Sequence, residues 1–210
     1  MFRFTRISTL AGVASLGLLA GCSSAMMDDR MDSGAMSRPM SIADVQNMLA
    51  AWPEPSRMAA MEMMSKYGAP SGVTATTLSW ANTGPWKWTK ISRDPVWHNF
   101  PTPHPDVWEQ AIDYRVPVDK FDDMARYDGS VVVERTKGEM SARCDKEGAN
   151  FLAINLANDV ATGRRSAEQA RDYYSRAMKT FKETQVMDSY MQGLRFQPMG
   201  DARDPDQSTI

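Results

Sequence analysis

Ile42, Val45, Met48, Leu49 and Trp52 recur at three- and four-residue spacing, the period of one helical face. Ser41 stands before them with Asp44 three residues on, a capping-box pair. Pro53 and Pro55 break this helix. Ser56 is placed to cap a second, in which Met58, Met61 and Met64 repeat at threes until Gly68 and Pro70 stop it. Methionine surfaces suit adaptable grooves, but at this spacing the three read as core filler. Alternation then replaces helical spacing. Thr76, Leu78 and Trp80 alternate, Ala81-Asn82-Thr83-Gly84 reads as a longer, Gly-ended loop, and Trp86 to Ile91 alternates again, predicting a hairpin. Residues 91–105 are Pro-rich, follow neither period and read as irregular. Beyond them, Asp106 can cap a short helix through Ile112, or Ala111 to Val116 can be a strand; the pattern leaves both open.

The second half is more regular. Lys120 to Ala125 reads as helix. Ser130 to Thr136 and Glu139 to Cys144 read as a second hairpin turning at Lys137-Gly138, with Val131, Val132 and Val133 supplying strand preference. From Glu147 to Ala161, Leu152, Leu156 and Val160 recur at fours, and Gly163 is the stop. Ser166 and Gln169 form another capping box, after which Ala170, Tyr174, Ala177, Met178 and Phe181 keep a helical period. Helices at both ends of two antiparallel hairpins predict a single α+β domain over residues 41–192. Residues 193–210 are aperiodic and read as a loose tail.

The N-terminus carries an address. Arg3 and Arg6 precede an apolar stretch from Ile7 to Ala20, too short to cross a bilayer comfortably and shaped like a secretion signal. It ends in Leu19-Ala20-Gly21-Cys22, which resembles the lipobox of bacterial lipoproteins. The resemblance covers the signal-like start of the chain and has its three parts in order. It implies a signal peptide over residues 1–21, cleavage before Cys22, a diacylglycerol on the Cys22 sulfur and a further acyl chain (palmitate-like) on its amine. Several chains anchor far more firmly than one. By similarity to such lipoproteins, Ser23 where Asp would favour inner-membrane retention implies the outer membrane, facing the periplasm. Residues 22–40, rich in Ser, Met and Asp, read as a flexible tether with a reach of roughly 20–25 Å.

Composition narrows the function. The formal charge is −2, and removal of residues 1–21, with two Arg and no acid, makes it more negative. A nucleic-acid binder would carry a basic field instead. Lipidation of Cys22 leaves Cys144 as a lone thiol, most simply a buried one.

Three constellations could carry chemistry. His98 and His104 stand six residues apart in the Pro-rich WHNFPTPHPD and, with Asp94 or Asp106, could supply three metal ligands. Six-residue spacing across prolines matches no ligand signature, so the favoured reading is a stiff loop whose imidazoles bond backbone carbonyls, with no metal or other cofactor. The second group is Arg143, Cys144, Asp145 and Glu147, where a strand gives way to a helix. Cys144 near a helix start, close to Arg143 and paired with His98 or His104, would be a thiol nucleophile. The structural alternative has Asp145 cap the helix, Glu147 favour its positive end, Arg143 bond one of them and Cys144 pack inside. The third group, Trp80, Trp86 and Trp88, would be a platform for stacking on sugars or a core face; core is favoured.

Two helices, Gly68-Ala69-Pro70 and a Trp-bearing hairpin are also similar, over some fifty residues, to the small α+β outer-membrane assembly lipoproteins of the Bam E type. No catalytic motif comes with that similarity. The sequence reading is therefore an envelope-anchored lipoprotein that binds an envelope protein or peptidoglycan, against a small periplasmic hydrolase or metal-dependent enzyme using Cys144 with His98 or His104. The anchor is directly testable. Cys22→Ser should abolish incorporation of radioactive fatty acid and leave an uncleaved precursor; equal labelling of both proteins would refute the lipobox reading.

Overall fold

The computed structural model describes residues 40–203 and 206–210. Cys22, the signal-like segment and the 22–40 tether up to residue 39 lie outside them. The described chain runs α1 (Ile42–Leu49), α2 (Glu54–Tyr67), β1 (Gly72–Val73), β2 (Thr77–Thr83), β3 (Trp86–His98), β4 (His104–Asp113), α3 (Phe121–Tyr127), β5 (Val131–Glu134), β6 (Glu139–Cys144), α4 (Glu147–Ala161) and α5 (Ala167–Thr184). The strands form one antiparallel sheet in the order β1-β2-β3-β4-β6-β5. The expected α+β class is what the chain adopts.

Local chemistry explains most boundaries. Both capping boxes form: Ser41 accepts from the Asp44 N–H while Asp44 accepts from Ser41, and Ser166 and Gln169 do the same before α5. Gly138 turns β5 into β6 at φ 63°, and a Cβ there would lie 1.8 Å from the Ala202 carbonyl oxygen, so only glycine fits.

Several expectations need correction. Ser56 does not cap α2, which begins with Pro53 as its N-cap residue and Pro55 in its first turn, a position where a missing N–H costs nothing. Ser56 is instead buried within the helix and donates to the Arg93 carbonyl at 2.8 Å. The buried face of α2 is Ala59, Ala60, Met63 and Met64, while Met58 and Met61 are exposed. The first hairpin turns tightly at Gly84-Pro85, not over a four-residue loop. Residues 91–105 are not irregular: β3 continues to His98, and β4 returns from His104. The helix option after Asp106 is excluded. Nor is the tail loose throughout. The Met199 N–H donates to the Asp113 carbonyl at 2.9 Å, Phe196 packs edge-on to Tyr114, and Ala202 is buried.

Helices cover one face of the sheet. On β4, Trp108, Gln110 and Ile112 share a face by strand alternation. Trp108 joins the cluster under α1 and α2 with Leu78, Trp80 and Ile91, while Ile112 joins the cluster under α4 and α5 with Met140, Leu152 and Tyr174. Glu147, the first residue of α4, sits between the two clusters and is 4% exposed. Its carboxylate accepts from Tyr67 Oη at 2.8 Å, Trp86 Nε1 at 2.7 Å and Gln110 Nε2 at 3.2 Å, and is bonded by Lys66 Nζ. Asn150 Nδ2, one turn on, donates to the Trp108 carbonyl at 2.9 Å and to Gln110 Oε1 at 3.0 Å. The opposite face is polar: Lys87 pairs with Asp113 and Glu139, and Trp88 Nε1 donates to Glu139 at 3.2 Å.

Burial alone would push the Glu147 pKa up, but Lys66, Trp86 and Tyr67 outweigh it and hold it below the ordinary carboxyl value. A depressed folded pKa gives stability that is present above the unfolded value and lost as pH falls through the folded one. Glu147→Gln should therefore cost about 1–3 kcal/mol at pH 7, largely through the buried Trp86 and Gln110 bonds, since Lys66 is half-exposed. Urea unfolding at pH 7 and again at pH 3 should show the gap between wild type and variant closing on the acid side; a gap of constant size would contradict this account.

Candidate functional site

The β3–β4 hairpin makes the site. Trp88 to Ile91 pair with Ala111 to Trp108, a bulge intervenes, and Val96, Trp97 and His98 then pair with Asp106, Pro105 and His104. His98 and His104 thus stand directly opposite each other across the ladder, with ring centroids 5.2 Å apart. Asp106 is two residues from His104 on the same strand and so on the same face. Between the strands, residues 99–103 form the hairpin tip, with a cis peptide at Phe100-Pro101. Phe100 anchors the tip: its ring packs 5.3 Å from Tyr174 of α5 and the Arg171 guanidinium lies 3.8 Å over it.

Asp106 is 1% exposed. Its Oδ1 lies 3.1 Å from His104 Nε2, and its Oδ2 takes the hydroxyl hydrogen of Ser130, with His98 Nδ1 at 3.8 Å and Arg143 Nε at 4.0 Å. Asp128, also buried, stands on the far side of His98, with Oδ1 at 3.8 Å from Nε2. Burial, offset in part by the Ser130 N–H and His98, raises the Asp128 pKa. The other ring nitrogen of His104, Nδ1, lies 2.8 Å from the Thr102 carbonyl. Burial works against a charge on His104, but Asp106, with Cys144 and the Thr102 carbonyl, more than offsets it, and the His104 pKa is pushed up to about 11.

Cys144 ends β6 beside Trp108 in the ladder and is 3% exposed. Its thiol lies 3.5 Å from Asp145 Oδ1 and 3.8 Å from Tyr174 Oη, and it interacts with the His104 ring. Burial pushes the thiol pKa up, with Asp145 and Asp106 adding to that and His104 opposing it. A low-pKa nucleophile needs the reverse. His104 and Cys144 both line a cleft of about 660 Å³ between the hairpin tip and α5. Its wall carries Trp97 and prolines 101, 103 and 105 on one side, and Tyr174, Met178 and Phe181 on the other, with Lys146 and Lys182 at hand. Trp97 is 69% exposed.

The residues singled out from sequence divide accordingly. His98, His104 and Asp106 come together, with Arg143 and Cys144 at the edge of the group. Asp94 does not take part; it is an exposed partner of Arg93. Asp145 does not cap α4: the N-cap residue is Lys146, without a side-chain bond, and Asp145 pairs with it at 2.9 Å. Arg143 approaches Asp106, not Asp145 or Glu147. Glu147 faces the interior away from the histidines, on Trp86 and Tyr67. The expected backbone-carbonyl bond is present for His104, whereas His98 faces the Ser130 hydroxyl at 3.3 Å. Trp80 and Trp86 are buried and cannot form a ligand platform; Trp88 lies on the polar face of the sheet, away from the cleft. Asp128, Ser130 and Tyr174 carried no sequence signal as site residues, since each is reached only through the fold.

No family model, no curated protein and no solved structure matches the chain.

The arrangement makes Cys144 a thiol packed behind the cleft wall. A maleimide or disulfide reagent should label it slowly in native protein and quickly in denaturant. Fast native labelling at neutral pH would instead mark it as an activated nucleophile.

Proposed function

We propose that the protein is a lipid-anchored lipoprotein of the bacterial envelope whose body binds peptidoglycan fragments in the cleft between the β3–β4 hairpin tip and α5. The observation that carries this reading is the exposed Trp97 on a cleft that also offers Lys146 and Lys182. A tryptophan face stacks on sugar rings, and an exposed one gains area by doing so. Ammonium groups suit the carboxylates of a stem peptide. Lys146 is shared with Asp145, which leaves Lys182 the stronger electrostatic contact. The lipobox resemblance supports the location, since a lipid-anchored envelope protein shares its compartment with peptidoglycan. The raised thiol pKa and near-complete burial of Cys144 favour binding over thiol chemistry.

Co-sedimentation with purified sacculi tests the proposal. The wild-type chain should pellet with them. Trp97→Ala and Lys182→Glu should each weaken retention by roughly 5–30-fold, the equivalent of about 1–2 kcal/mol for an aromatic or charged contact. Failure of the wild type to pellet, or retention by both variants, would overturn it. Capture of a defined envelope protein by the same cleft would replace it with the protein-partner reading.

A further inference from the structure

We propose that His98, His104 and Asp106 bind one divalent transition-metal ion of the zinc class. The inference rests on these three side chains and not on what fills the cleft.

Geometry comes first. One ligand atom from each of the three residues lies within 4.8 Å of the other two. Tetrahedral bonds of 2.0–2.1 Å would place ligand atoms about 3.3 Å apart, so small rotations of the side chains close the set. His104 Nε2 and Asp106 Oδ1 are already 3.1 Å apart. The pair attracts as an ion pair but falls outside hydrogen-bond geometry, and neither buried atom has another hydrogen-bond partner. Buried polar atoms are seldom left so, and two of them side by side call for a shared partner.

The outer contacts match a ligating role. The Thr102 carbonyl accepts from His104 Nδ1 and so turns Nε2 toward Asp106, where an ion would take the place of the Nε2 proton. A ligating histidine ordinarily has such a carbonyl or carboxylate behind it. Asp106 is oriented in the same way by the Ser130 hydroxyl on Oδ2, which leaves Oδ1 to face His104. Two imidazoles and one carboxylate suit zinc and its neighbours better than magnesium or calcium. Three protein ligands make an open site, not a closed structural one. Cys144 lies outside the ligand set.

The sequence reading disfavoured a metal because a spacing of six across prolines fits no helical or loop signature. Register removes that objection. The ligands are cross-strand partners plus the residue two positions along, a pattern that only the hairpin creates.

The test uses the full chain in detergent, purified without chelator, incubated with Zn²⁺ or Co²⁺ and dialysed. One equivalent of metal should remain by mass spectrometry, Co²⁺ should give visible bands of four- or five-coordinate type, and Zn²⁺ should raise the thermal midpoint. Ser130→Ala should weaken binding by about 10–100-fold, as expected for loss of an orienting contact. His98→Ala and His104→Ala, shown folded by circular dichroism, should lose the ion altogether, while Cys144→Ser and Lys182→Glu keep it. A wild-type protein that retains no stoichiometric metal, or a His104→Ala variant that retains it fully, would overturn the assignment.

Discussion

The antiparallel pairing of β3 with β4 is the constraint on which the site and much of the fold depend. It is the longest ladder in the sheet, and it closes a Pro-rich stretch that has no hydrophobic period of its own. Its register sets His98 against His104 and puts Asp106 on the same face as His104. A shift by one residue would turn the side chains of either strand to the opposite face and dismantle the group. The same register buries Trp108 beside Ile91 and exposes Trp97 at the cleft, so core and site are fixed by one set of backbone bonds.

Glu147 ties this hairpin to the helices. It gathers donors from α2, β3 and β4 onto the first turn of α4, and Asn150 repeats the link to β4 one turn later. The strand-to-helix junction from Cys144 to Lys146 is held between that anchor and the end of β6. Its residues Cys144, Asp145 and Lys146 line the cleft, and Phe100 packed on Tyr174 docks the hairpin tip on α5. Two of the buried polar groups contrast: the Glu147 carboxylate is met by four donors, while at Asp106 and His104 buried atoms stand close without hydrogen-bond geometry. The first has the character of a structural clamp. The second is where a ligand would complete the set.

What was legible in the sequence follows from how local each signal is. The two capping boxes, the Gly138 turn and the α4 span depend on neighbours in the chain, and they read correctly. Residues 91–105 misled because proline within a strand pattern normally argues against a strand. Here Pro95 sits at the bulge between Ile91 and Val96, and Pro105 lies beyond the last β4–β6 pair at Trp108 and Cys144, so no sheet bond is lost on that side. The exposed Met58 and Met61 misled for a different reason: a repeat at threes mimics a face, while the buried side was marked by small Ala59 and Ala60. Candidate residues were named from type and proximity in sequence, which sufficed for His98, His104, Asp106 and Cys144. Asp128, Ser130 and Tyr174 reach the group from α3, the start of β5 and α5, and no spacing rule connects them to it.

The central claim is that strand pairing creates a three-ligand centre from His98, His104 and Asp106. X-ray absorption at the zinc edge on the loaded full chain reads that centre directly. The account predicts a first shell of nitrogen and oxygen at about 2.0–2.2 Å, with the outer scattering of two imidazoles and no sulfur. A shell of oxygen alone, or one containing a sulfur at about 2.3 Å from Cys144, would contradict it.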